Sequence, residues 1–314
     1  MKNLFSLLIL TILTNFPATL KAFDTWNEPW QKEILEKADY FVLGKILESN
    51  EKEVKVHILH NFSDLDLEID IIIDDFYLLN MVKSSGAKPY FKLKKDSYYY
   101  FFLKKNSNGN YSLPTPTSGY AYMDEDFNVS ATYRISFDQA VIPQEIYEFS
   151  YMNIWNYFKY KKFDKRQVND FLDYYLTKEP AGFDKKGIEV FYHQHVALEM
   201  AYLLDLTPKF HLVEKFAESE NFHSRISALQ LMGNYNSKDA KNYLLNSLTD
   251  ERFNDFEKVI AIWAIKKIGD QKIINQVREL KDELSDETKG FGVKNTDPRS
   301  GTYFPSPKEA ASNI

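Results

Sequence analysis

Two hydrophobic periods divide the chain. From about residue 39 to 150, apolar and polar positions alternate in twos: Val54, Val56 and Ile58 with Lys55 and His57, then Leu65, Leu67, Ile69, Ile71 and Ile73 with Asp66, Glu68 and Asp70. That is the pattern of strands with one buried face. The block Tyr98-Tyr99-Tyr100-Phe101-Phe102-Leu103 is bulky and apolar on both faces, which predicts a central strand. Asn106-Ser107-Asn108-Gly109-Asn110 then supplies left-handed turn positions that return the chain into Tyr111-Ser112-Leu113. Runs at Tyr120-Ala121-Tyr122 and from Ala131 to Phe137 add at least one more strand, and Trp30, Ile34 and Ala38 predict a short helix opened by Asn27 and Pro29. About five strands with a small helix predict a closed or nearly closed barrel of the oligomer-binding type.

From Asp164 onward the period becomes three-and-four. Asp164 and Gln167 form a capping-box pattern, and Val168, Phe171, Leu172 and Tyr175 line one face up to Glu179-Pro180. Ile188, Phe191, His195, Leu198 and Tyr202 mark a long helix; Thr207 is expected to cap the next, with Pro208 at its first position and Leu212, Val213 and Phe216 as its stripe. Ala228-Leu229-Gln230-Leu231-Met232-Gly233 and Ala264-Ile265-Lys266-Lys267-Ile268-Gly269 repeat at a spacing of 36 residues. Each glycine is expected at a left-handed helix end, with Ser237 and Asp270 capping the helices that follow.

These repeats resemble the HEAT-repeat family, in particular the short bacterial form with a helix ending in Ile-Gly-Asp, matched by Ile268-Gly269-Asp270. The resemblance covers about 190–285. A weaker one touches the first half: Ala38-Asp39-Tyr40-Phe41-Val42-Leu43-Gly44-Lys45-Ile46, the strand at 65–73 and Lys95-Asp96-Ser97-Tyr98-Tyr99-Tyr100-Phe101 resemble the netrin-like barrel of tissue inhibitors of metalloproteinases. That family begins its mature chain with a disulfide-bonded, zinc-chelating cysteine, whereas this chain has none. The expected fold is therefore α+β in two domains, a small OB-like (netrin-like) β-barrel followed by an all-α HEAT-type helical repeat solenoid. The expected boundaries are a signal peptide over 1–22, the barrel over 23–150, a linker over 151–163, the repeats over 164–285 and a flexible tail over 286–314.

The signal peptide rests on Lys2, the apolar run from Leu4 to Leu13 and Leu20-Lys21-Ala22, with cleavage after Ala22. The run is short of the about 20 residues that span a bilayer, so no stable membrane insertion is expected. The destination would be a bacterial periplasm or the extracellular space. Composition fits a globular chain, with 44% hydrophobic and 27% charged residues. The absence of cysteine excludes disulfide scaffolds, cysteine-based zinc and iron–sulfur sites, thiol nucleophiles and cysteine lipid anchors. A net charge of −6 argues against nucleic acid as a partner.

Candidate chemistry is sparse. His193 and His195 form a His-x-His pair, but two positions apart on a helix point to nearly opposite sides, so a shared metal is not expected. Asp64, Asp66, Glu68 and Asp70 would share one strand face, read as a solvated face that blunts edge pairing. Lys159, Lys161, Lys162, Lys165 and Arg166, interleaved with Phe158, Tyr160 and Phe163, could meet an anionic surface, but read as a linker with snorkelling lysines. Thr117-Ser118-Gly119-Tyr120 reads as a turn, and no nucleophile elbow, zincin helix or phosphate loop occurs. No catalytic, cofactor-binding or metal residue is assigned and no cofactor is expected. The expected function is an exported, non-enzymatic binding or assembly protein using its helical-repeat surface on protein partners of unknown identity. An inhibitor or ligand-binding protein acting through the barrel is the alternative, and an exported hydrolase the third.

Overall fold

The computed structural model of the protein describes residues 24–27, 31–50, 52–74, 81–83, 93–115, 118–134, 140–289, 293–295 and 300–314. The expected signal peptide lies outside them. In chain order the first part runs β1 (Asp24–Asn27), α1 (Gln31–Lys37), β2 (Tyr40–Ser49), β3 (Glu53–Asn61), β4 (Asp70–Asp74), β5 (Met81–Lys83), β6 (Tyr98–Lys105), β7 (Tyr111–Ser112), β8 (Tyr120–Met123), β9 (Asn128–Ala131) and β10 (Ala140–Pro143). Helices follow: α2 (Gln144–Tyr160), α3 (Lys165–Leu176), α4 (Ile188–Leu203), α5 (Phe210–Ala217), α6 (Phe222–Met232), α7 (Lys238–Ser247), α8 (Asp255–Ile268) and α9 (Gln271–Leu280). The chain closes with β11 (Val293–Asn295), β12 (Ser300–Tyr303) and α10 (Pro307–Ser312).

A five-stranded barrel is present. Its strands lie in the order β6-β2-β3-β4-β7, and β7 pairs back onto β6, so the sheet closes. All these pairings are antiparallel except β4 with β7. Val42, Val54, Val56, Ile73, Phe101 and Leu103 fill the interior and are fully shielded from solvent. Alternate residues of β2 and β6 point the other way, and they too are buried: Phe41, Tyr100 and Phe102 meet Trp155, Tyr147 and Tyr151 of α2, with ring centroids 6.0, 4.5 and 5.4 Å apart for Phe41–Trp155, Tyr100–Tyr147 and Phe102–Tyr151. This explains the doubly apolar block at 98–103: one face serves the barrel, the other a second core.

That second core corrects the linker expected over 151–163. Residues 151–160 are the second half of α2, with Tyr151, Ile154 and Trp155 buried against the barrel wall. One apolar cluster runs from Ile34 through these aromatics to Val277 and Ala311. The flexible tail expected over 286–314 also needs correction for its described part. β12 pairs parallel with β1, Phe304 packs its ring 4.9 Å from Phe256 and 5.6 Å from Trp263, and Ala310 and Ala311 are buried. Short apolar groups between prolines carry no helical stripe, so the sequence showed no sign of this docking.

The alternation at 65–73 is strand only from Asp70 onward. Asn61 bonds its own loop, accepting from Ser63 N–H at 3.0 Å and donating to the Leu65 carbonyl at 2.8 Å, which ends β3 and leaves Leu65 and Ile69 exposed. Asp64, Asp66 and Glu68 therefore share no strand face. The expected cap at Thr207 is displaced too, since α5 starts at Phe210 after Lys209.

In the helical part, α4, α6 and α8 form a central layer, and α5, α7 and α9 pair with them on one side. Ser237 and Asp270 cap as expected, accepting from Ala240 N–H at 3.3 Å and Lys272 N–H at 3.0 Å. The two repeated glycines differ. Gly269 is left-handed at φ 73°, whereas Gly233 is right-handed at φ −62° and is needed for close approach: a Cβ there would lie 3.1 Å from both the Ala264 Cα and the Gln230 carbonyl oxygen. Both obstacles are backbone, so Gly233→Asn should destabilise by about 1–3 kcal/mol. Gly269→Asn, with open space and a residue that tolerates left-handed backbone, should be milder. Equal losses in parallel thermal melts would contradict the close approach of α6 and α8.

Candidate functional site

Burial decides which helical face is open. α4 is shielded almost all round, from Phe191 to Leu203, because α2, α3 and β10 cover the side that α6 does not. At the far end, α10 lies on α8. Among the described residues, α7 and α9 each present an outer face rich in exposed residues, with α5 beside them. Across α5 and α7 runs a groove of about 550 Å³ lined by Phe210, His211, Glu214, Asp239, Asn242, Tyr243 and Asn246. The α7 residues stand at intervals of three and four, so one helix face delivers a carboxylate, two amides and a phenol in a row.

One end of the groove is braced. Tyr243 donates its hydroxyl to Glu218, and Arg252 pairs with Glu218 and with Asp250, the latter at 2.7 Å. Burial pushes the Glu218 carboxyl up, but hydrogen bonds from Arg252 and Tyr243 outweigh it and hold the group below the usual carboxylate range. Glu214 and Asp239 have no ion-pair partner among the described residues. The groove therefore offers two uncompensated carboxylates beside hydrogen-bonding amides and aromatic rings.

Behind the central layer lies a buried polar junction. Arg134, on the connection after β9, reaches between α4 and α6: its Nε donates to Glu199 Oε1 at 2.9 Å and its Nη2 to Ser227 Oγ at 2.6 Å. Ser227 donates to Glu199 Oε1 at 2.7 Å, and Gln230 donates to Glu199 Oε2 at 3.1 Å. His195 Nδ1 lies 3.1 Å from Ser227 Oγ. Because that hydroxyl has given its proton to Glu199, His195 must carry its own proton on Nδ1 and donate it. A serine nucleophile requires the reverse, a histidine that accepts its proton, and also access to substrate. Ser227 is 1% exposed. Serine, histidine and glutamate meet here as a structural clamp that ties the connection after β9 to α4 and α6.

The clamp makes stability pH-dependent. Burial, reinforced by Arg134, holds His195 well below its ordinary value and His223 down at about 4. Histidines of the unfolded chain protonate near 6.5, so the unfolded state binds more protons in acid. The contribution is complete above about pH 6.5, declines as pH falls through that value, and for His223 levels off near 4, a loss on the order of 3 kcal/mol. Denaturant unfolding at intervals from pH 7 to 5 should show the decline, and His223→Gln should flatten it.

The remaining sequence candidates are dispersed. His193 stacks on Tyr175 at 4.9 Å and bonds the Glu189 carbonyl, away from His195. Asp70 pairs with His57 at 2.7 Å. Among the described residues, no group of three or more histidine or acidic side chains could hold a metal ion, and no helix is long and apolar enough to cross a membrane. Ser118 bridges back to Thr115, as a turn should, while Thr117 lies outside the described residues. Arg134, Glu199 and Ser227 were not singled out from sequence. The available signal was Glu199, a lone charge in the apolar run from Val196 to Ala201. Comparisons with protein-family models, with curated proteins and with solved structures gave no match.

Proposed function

We propose that the protein is an exported, non-enzymatic binding or assembly protein whose helical layer, of the HEAT-repeat kind, receives a cationic polypeptide segment in the groove over α5 and α7. The observation that carries the reading is the pair Glu214 and Asp239, which line the exposed groove over α5 and α7 with no ion-pair partner among the described residues. Asn242 and Asn246 can donate to and accept from an extended backbone, and Phe210 and Tyr243 provide apolar contact. The barrel, OB-like and netrin-like in this reading, serves as the platform that covers the opposite side of the layer. Fluorescence anisotropy of the full chain against matched lysine-rich and glutamate-rich peptides tests the proposal. The basic series should bind, and Glu214→Lys with Asp239→Lys should invert the preference. Basic peptides that bind equally to wild type and double variant would overturn it.

A further inference from the structure

A second recess lies on the opposite flank, where α1, the end of α2, the turn after α4 and α8 converge. It has a volume of about 230 Å³, and Lys32, Lys159, Lys161 and Lys267 line it together with Glu36 and Asp205. Four lysines thus face two carboxylates, and both carboxylates are engaged: Glu36 with Lys32 at 3.8 Å, Asp205 with Lys267 at 3.0 Å and with the Tyr157 hydroxyl at 2.8 Å.

Lys159 and Lys161 have no carboxylate partner among the described residues. Lys159 is half-buried: its ammonium lies 4.7 Å from the Trp155 ring centre and donates to the Ala38 carbonyl, and desolvation pulls its pKa down. Lys161 sits over Tyr157 at 4.7 Å. Its backbone is left-handed at φ 54°, as is that of Asp205 across the recess at φ 53°. In both, the left-handed residue ends the preceding helix: the Lys161 N–H donates to the Tyr157 carbonyl, and the Leu206 N–H reaches back to the Ala201 carbonyl. The Tyr202 hydroxyl, on the same wall, has no hydrogen-bond partner among the described residues.

We infer that this recess binds a phosphoryl group, as a small phosphate monoester or as the headgroup of an acidic phospholipid. All its cations are lysines, point charges that suit a tetrahedral anion approached from several sides, whereas planar carboxylates are better matched by the arginine fork. The volume accommodates a phosphate with a short body and excludes a drug-sized ligand, which needs about 300 Å³ or more. An anion here would give Lys159 the direct ion pair it lacks among the described residues, since Asp39 and Glu36 act on this half-buried ammonium only at longer range.

The test is titration calorimetry of the full chain with inorganic phosphate and with methyl phosphate at fixed ionic strength, alongside co-sedimentation with phosphatidylcholine vesicles with and without phosphatidic acid at about one lipid in five. Saturable binding of either phosphate should weaken about tenfold or more in Lys161→Ala and in Lys159→Met, and be unchanged in Lys165→Ala, which lies outside the recess. If the source is a lipid headgroup, only the phosphatidic acid vesicles pull the chain down, and the same variants abolish this. Lys161 is exposed, so its alanine variant keeps the fold even if Lys159→Met does not. Absence of saturable binding in every arm, or equal weakening by Lys165→Ala, would overturn the assignment.

Discussion

Arg134→Ala should lower the stability of the chain by about 3–5 kcal/mol, because it strands Glu199, a fully buried carboxylate, without its counter-ion. Ser227 and Gln230 cannot substitute, since both are neutral donors already engaged with Glu199. Removing the charge from both partners should behave differently. Arg134→Met with Glu199→Leu loses the attraction and the desolvation cost together, and should recover most of the deficit. Chemical denaturation of the two single variants and the double variant forms the cycle that measures this. Additive losses would mean that the two side chains stabilise the junction independently.

Trp155→Ala should cost a similar amount, about 3–5 kcal/mol, and the loss should register in both halves of the chain. The indole is 1% exposed, packed on Phe41 and Phe102 of the barrel wall, and continuous with the core of α3 and α4. A cavity there loosens the barrel from the helices. The wild type should unfold in a single transition, with strand and helix signals coincident in circular dichroism and hydrogen exchange. If Trp155→Ala destabilises the barrel alone, the shared core does not couple the halves.

Much of the architecture was legible in the sequence because each half has its own period. The alternation at Val54, Val56 and Ile58 and the aromatic block at 98–103 are direct consequences of a strand's two faces. Asp164, Ser237 and Asp270 cap because their side chains can accept from backbone N–H groups two or three residues on, a local event that needs no tertiary partner. What escaped was non-local. α2 read as a linker because its lysines and aromatics interleave, and only the barrel wall shows that Tyr151 and Trp155 are buried. Gly233 read like Gly269 because sequence shows a glycine's position and not whether backbone freedom or a neighbouring helix requires it. The groove escaped because Glu214 and Asp239 belong to different helices, and their lack of a cation is a property of the packing.

The central claim is that the face of α5 and α7 is the binding surface. Hydrogen exchange of the full chain, with and without the tightest basic peptide of the panel, measures it directly. The account predicts slowed exchange concentrated in 210–217 and 238–247, with the barrel strands unchanged. Slowed exchange confined to the barrel, or none in either helix, would contradict it.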